Sequence, residues 1–206
     1  LMNQMRIDVL TARERLASIG WIPSRSEYFH HLPPPGMQVW LGDGSEPPAA
    51  GPVAQADVAA GWTLETLGVA RQGLVEAQWL DASNTAQRAQ LYAGVTPPGD
   101  SDADRFAWVH QATCSRGLRL RIGSGTARAE DRSGETVSLV LRRHAQAALE
   151  APMLVVDVLP GMHCVLLESH EHGVHPGAVV QNLDVHINLG AGATLRHLRV
   201  ATPSAD

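Results

Sequence analysis

The chain reads as an α+β protein, a small helical N-terminal region followed by stacked β-rungs. Three observations predict this. A glycine-centred strand pattern occurs three times in the last half: Leu118-Arg-Leu-Arg-Ile-Gly-Ser-Gly125, Leu154-Val-Val-Asp-Val-Leu-Pro-Gly161 and Val185-His-Ile-Asn-Leu-Gly-Ala-Gly192, each followed by a second alternating run. The turn glycines Gly125, Gly161 and Gly192 recur at nearly equal intervals. The hydrophobic period changes from helical to alternating at about residue 118. A single rung cannot bury its apolar face alone, so a repeat of this kind predicts stacking. Stacked rungs make a β-helix or a rolled sheet. Such a surface more often binds a partner or ligand than hosts fast chemistry.

Residues 2–19 predict an amphipathic helix, with Ile7, Leu10, Leu16 and Ile19 near helical spacing and Gly20 and Pro23 ending it. A proline run, Pro33-Pro-Pro-Gly36, leads to Gln38-Val-Trp-Leu-Gly-Asp-Gly44, which predicts a short strand and a turn. Residues 45–56 are rich in Pro, Ala and Gly and read as a loop. A short strand is expected around Trp62, with helices near 70–79 and 84–93. The polar stretch Pro97–Asp104 ends in acidic residues that suit a helix N-terminus. Arg105–Ser115 is then a helix with Phe106, Val109 and Ala112 on one face, and Gly117 is its expected stop. Strands dominate from Leu118 to Ala201. The reading divides the chain into a mixed, mainly helical region over 1–115 and a β-domain over 116–206.

A chain of 206 residues with 44% hydrophobic content can build a sizeable core. Net charge is −5 and every basic residue is Arg, which argues against non-specific nucleic-acid binding. Cys114 and Cys164 stand far apart in the chain, neither a disulfide framework nor a zinc spacing. They read as buried free thiols in a reducing cytoplasm. No run approaches the roughly 18 apolar residues of a membrane span, and no leader pattern opens the chain. The expected location is cytoplasmic. The chain begins with Leu1 rather than Met and stops at Asp206, soon after a strand pattern, so it reads as a fragment.

The residues at the boundary resemble a known family. Asp104-Arg-Phe-Ala-Trp-Val-His-Gln-Ala, followed by Ser115-Arg-Gly-Leu-Arg-Leu-Arg-Ile-Gly-Ser-Gly125, is similar to the start of the β-helix core of SufD. SufD and its paralogue SufB are scaffold subunits of the SUF iron–sulfur cluster assembly system. Val137-Ser-Leu-Val-Leu stands where that family has its next short strand. Met153 to Glu168 resembles a rung of strand, Gly turn and strand ending in Glu, and Val185 to Val200 resembles the rung after it. At the N-terminus, Pro23-Ser-Arg25, Glu27 and Phe29 occupy the family's places, while Phe29-His-His-Leu32 replaces its Trp-Lys-Tyr-Thr run. The resemblance implies a partial right-handed parallel β-helix and a non-enzymatic scaffold acting with a SufB-like paralogue and a SufC-like ATPase. It implies no tightly bound cofactor in this chain, with an iron–sulfur cluster only in the partner complex. The family is about twice this length, and its later rungs and closing helical region have no counterpart here. None of its cluster-related residues is therefore carried over.

The densest histidine cluster is Glu168-Ser-His170-Glu-His172-Gly-Val-His175-Pro. Imidazole suits Fe, Zn, Cu or Ni, and His170 and His172 project to one side of a strand, so a metal site is chemically conceivable. The Gly and Pro punctuation favours a solvated loop, and these three rings are expected to face solvent and hold no metal. His186 shares a strand face with Asn188, and His197 shares one with Leu195 and Arg199. They read as strand-surface histidines hydrogen-bonded to neighbours. His163 and Cys164 are adjacent and face opposite sides, which disfavours a thiolate–imidazole nucleophile. The alternative function is a cupin-like metal-dependent enzyme or a metal-binding β-protein using the C-terminal His cluster; Gly161-Met-His163 through His172 would supply a cupin's first motif, but Val174–Pro176 stands where that motif needs Glu. A carbohydrate-active β-helix is a further alternative, but it lacks acidic pairs on a strand face. No phosphate loop, dinucleotide fingerprint or Gly-x-Ser-x-Gly occurs. The third rung ends at Val200, so Leu195–Val200 is expected to present an apolar, unpaired edge open to self-association.

Overall fold

The computed structural model describes residues 9–42, 58–68, 73–123, 134–171 and 179–201. Helix α1 (Val9–Ile19) buries Ala12 and Leu16 and ends where Gly20, at φ +71°, donates its N–H to the Leu16 carbonyl at 2.9 Å. A 3₁₀ turn (Glu27–Phe29) follows. The expected strand at 38–44 is instead one helical turn, α2 (Gln38–Leu41), capped by the Gly42 N–H on the Gln38 carbonyl. So short an apolar run carries no decisive period. Here Trp40 decides it by packing edge-on to Phe106, with centroids 6.5 Å apart.

Strand β1 (Trp62–Leu67) forms as expected. The helix expected near 70–79 is contradicted, because Val75–Asp81 is strand β2. Glu, Ala and Gln favour helix only weakly, and antiparallel pairing from Val75↔Ile122 to Asp81↔Arg116 overrides that preference. Helix α3 (Thr85–Leu91) begins at Asn84, whose side chain accepts from the N–H groups of Ala86 and Gln87. Helix α4 (Asp104–Thr113) packs on α1 and α2 through Trp108, Val109 and Ala112. Gly117 does not stop it: the helix is capped at Cys114, and Gly117 lies inside strand β3 (Arg116–Ile122). A Cβ at Gly117 would stand 2.6 Å from a Leu91 methyl and 3.0 Å from the Met153 carbonyl, so α3 approaches the sheet only over a glycine.

The remaining strands are β4 (Thr136–His144), β5 (Leu149–Glu150), β6 (Met153–Val158), β7 (His163–Glu171), β8 (Val180–Gln181), β9 (Asp184–Leu189) and β10 (Thr194–Ala201). Two four-stranded sheets result, one ordered β1-β4-β7-β10 and the other β2-β3-β6-β9, with a two-stranded β5-β8 ladder beside them. Among the described residues neither four-stranded sheet closes into a barrel, and each keeps two edges. From β3 onward the chain visits the two large sheets in turn, and every neighbour within a sheet is parallel. Gly117 faces Met153, and Met153 faces Asp184. These two steps along the chain equal the sequence intervals from Gly125 to Gly161 and from Gly161 to Gly192. In the other sheet Thr136 faces His163, and His163 faces Thr194. The step from Thr136 to His163 is shorter than that from Gly117 to Met153, so the first repeat carries its extra length between β3 and β4.

Gly161 and Gly192 occupy equivalent turns, at φ +74° and +69°, a backbone region open chiefly to glycine. Gly125 lies outside the described residues. Leu118, Leu120, Leu154 and Val156 from one sheet meet Leu139, Leu141, Cys164 and Leu166 from the other in a single core. Each sheet also takes one antiparallel strand from the chain before residue 116, at the edge where its parallel strands begin. No helix among the described residues is long and apolar enough to cross a membrane.

Candidate functional site

Parallel stacking lines side chains into rows. One inward-facing row is Leu64, Leu141, Glu168 and Arg199; the next is Trp62, Arg143, His170 and Ala201. The apolar core therefore ends in a charged cluster. Glu168 sits at its centre and is fully buried. Its Oε1 accepts from His170 Nε2 at 2.9 Å and lies 3.0 Å from Arg143 Nε. Its Oε2 accepts from His197 Nε2 at 2.8 Å and lies 3.5 Å from Arg199 Nε. The Arg143 guanidinium lies over the Trp62 ring, 4.0 Å from its centroid. Its Nη1 and Nη2 are buried and make no hydrogen bond among the described residues.

Burial pushes the Glu168 carboxyl up, but the His170 hydrogen bond, both guanidiniums and His197 outweigh it and hold the group down at about 2. Burial brings Arg143 down to about 10, against the upward pull of Glu168. Both are charged at neutral pH. One carboxylate thus answers two guanidiniums and two imidazoles.

His170 does not face solvent. It sits on β7 with its side chain 17% exposed. The strand continues to Glu171, past the expected loop start, and strand alternation puts His170 on the same face as Glu168. His172 and His175 lie outside the described residues. Among the described residues no three His, Cys, Asp or Glu side chains converge as a metal-ligand set. His197 is a strand histidine bonded to a neighbour, as expected, although its partner Glu168 is interior. His186 stands beside Val155 on the outer face of its sheet. Cys164 is in the core, where burial raises its thiol to about 11, while His163 shares a hydrogen bond with Thr194 on the opposite side.

Two further polar groupings escaped the sequence reading. His110 and Cys114, one helical turn apart at the end of α4, are buried together beside Tyr92. The His110 ring meets the Pro152 carbonyl through Nε2 at 3.1 Å, and its Nδ1 is 3.8 Å from Asp184. Burial opposes charge on both Cys114 and His110. Their mutual attraction nevertheless turns the thiol downward and the imidazole upward, with Tyr92 and Arg88 assisting at the thiol and Asp184 at the ring. Neither side chain is open to a substrate. The i, i+4 spacing of His110 and Cys114 was the available signal. The second grouping lines an open cavity of about 550 Å³ on the outer face of the β2-β3-β6-β9 sheet. There Arg119 donates to Asp157 at 2.7 Å and to the Gln90 and Ala93 carbonyls, and Asn188 donates to Asp157 at 2.7 Å. Its polar groups largely satisfy one another.

The Glu168 cluster differs because it reaches an edge. His197 and Arg199 lie on β10, the outermost strand, with side chains 18% and 45% exposed. Around them Ile187, Leu189, Leu198 and Val200 are exposed. Compared with protein-family models, with curated proteins and with solved structures, the chain matches none.

Proposed function

We propose that the chain is a non-enzymatic scaffold subunit of iron–sulfur cluster assembly, working with a SufB-like paralogue and a SufC-like ATPase. On this reading the alternately visited sheets are the first coils of a right-handed parallel β-helix. One observation supports it above the others: among the described residues the two sheets end together in edges with no neighbouring strand, β9 and β10. Ile187 and Leu189 there face the same way as the core residues of β6. Unpaired strand edges with exposed apolar side chains are templates for another chain, and a solenoid end without a polar cap favours association. The ordered resemblance of the boundary and rung motifs to the SufB/SufD family supplies the identity of the partners.

The experiment is light scattering on the purified chain, alone and with a full-length SufB-like subunit, repeated after Leu198→Lys and Val200→Lys. Self-association or a stable heterocomplex is expected, weakened by the two substitutions. A chain that stays strictly monomeric at high concentration and forms no complex overturns the reading.

A further inference from the structure

We infer that the β10 edge selects its partner by charge: it accepts a strand of another polypeptide that runs parallel to β10 and carries an inward-facing carboxylate beside Arg199. The inference rests on the open-edge reading above and adds the chemistry of the partner.

Register places the groups. In the row Leu141, Glu168, Arg199, side chains from adjacent strands stand next to one another. Adjacent strands are spaced by about 4.8 Å, close enough for direct ion pairing between like-positioned side chains. Glu168 already serves Arg143, His170 and His197, and Arg199 reaches it only at 3.5 Å. Arg199 therefore holds the outer share of a carboxylate that is already oversubscribed, and nearly half of its side chain is exposed. Behind it, Arg143 is 3% exposed and both its Nη atoms lack hydrogen-bond partners among the described residues. Each unmade bond from a buried charged donor is costly. A strand laid on β10 with an apolar residue, then Glu or Asp, on its inward face would continue the core over Leu195. It would also place a second carboxylate beside Arg199, balancing two guanidiniums with two carboxylates. A basic residue at the same position would meet the Arg199 guanidinium and be rejected. Main-chain hydrogen bonds to the β10 edge supply affinity in such strand addition, and the alternate side chains supply specificity. The selecting contact is a carboxylate on a strand, not a free anion, because the apolar flank of Ile187 and Leu189 must be covered at the same time.

The probe is a peptide with the sequence of His163–Glu171, which already pairs parallel to β10 with its Glu inward. Its binding to the full chain is followed by fluorescence anisotropy. It is compared with the same peptide carrying Gln, and then Lys, at the position of Glu168. Loss of a charge-assisted hydrogen bond implies about tenfold or more weaker binding for the Gln peptide, and the Lys peptide should not bind. In the Arg199→Leu protein the Glu and Gln peptides should bind within about twofold of each other. Inorganic phosphate at physiological ionic strength should not compete. Equal binding of the Glu and Gln peptides to the unaltered chain overturns the charge selection while leaving the open edge intact. Displacement of the Glu peptide by inorganic phosphate would reassign the site to a free anion and overturn the inference. If no peptide binds and the chain is monomeric at high concentration, the open-edge reading fails with it.

Discussion

Replacing Glu168 by Gln keeps the volume of the side chain and removes the charge that answers Arg143. The guanidinium left behind is 3% exposed and cannot turn to water. Removing one partner of a buried ion pair costs about 3–5 kcal/mol for this reason. Proton linkage gives an independent figure. A carboxyl held at about 2 against an ordinary 4.5 contributes about 3 kcal/mol at neutral pH. The two agree, and either is a large part of the roughly 5–15 kcal/mol that holds a typical domain together. The assay is urea unfolding followed by tryptophan fluorescence, with a lower midpoint and unchanged slope expected for the variant. The pH dependence sharpens it. The folded carboxyl is depressed, so its contribution is complete above about 4.5 and drains away as the pH falls toward 2. The Gln variant should lack that part of the acid limb. Pairing it with Arg143→Met should recover much of the loss, since no unanswered charge then remains. A Gln variant within about 1 kcal/mol of the unaltered chain at pH 7, or one with an identical acid limb, would refute the buried-pair reasoning.

Three other outcomes are expected. Gly117→Ala should destabilise by about 1–3 kcal/mol, because its methyl meets Leu91 and the Met153 carbonyl; a neutral result in the same urea assay would mean α3 moves freely. Asn84→Ala removes the cap of α3 and should cost about 1 kcal/mol, with Asn84→Asp close to neutral; equal losses in both would point away from capping. Both thiols are buried, Cys164 lifted by burial to about 11 and Cys114 turned downward by His110 but closed off from reagent, so a disulfide reagent in mild alkali should leave the folded chain unmodified and label both cysteines in urea. Rapid labelling of the folded protein would show that one of the sites opens.

The parallel strand repeat was legible because pairing at a constant offset leaves a recurring spacing in the sequence. Val158 and Leu189 precede equivalent turns, and Gly161 and Gly192 follow each at the same distance. Strand β2 was not legible. Val75-Glu-Ala-Gln-Trp-Leu-Asp81 has helix-compatible composition, and only the free edge of β3 makes it a strand. The α2 turn was missed for the same kind of reason, since Trp40 takes its conformation from Phe106 on another element. At the site, the sequence singled out His170 and His197 but not what they share. Glu168 and Arg143 lie on different strands with a turn of the coil between them, and their meeting is a property of register that no local motif announces. His170 misled because Gly and Pro nearby suggested a loop, whereas the strand persists until its alternation has brought the ring back to Glu168.

The antiparallel start of the two sheets has a consequence for how the chain closes on itself. Trp62 pairs with Arg143, whereas β4 meets β7 from Thr136 to His163 and β7 meets β10 from His163 to Thr194. The first separation along the chain is roughly three times either of the others. Loop-closure entropy rises with the logarithm of that separation, so seating β1 costs about 1 kcal/mol more than pairing two successive parallel strands. Among the described residues β1 is hydrogen-bonded in its sheet to β4 alone, whereas β4 also pairs with β7. The dependence therefore runs one way. The parallel strands can pair without β1, whereas β1 has nothing to pair with until β4 is in place, and the ring of Trp62 comes to lie over Arg143 only with that pairing.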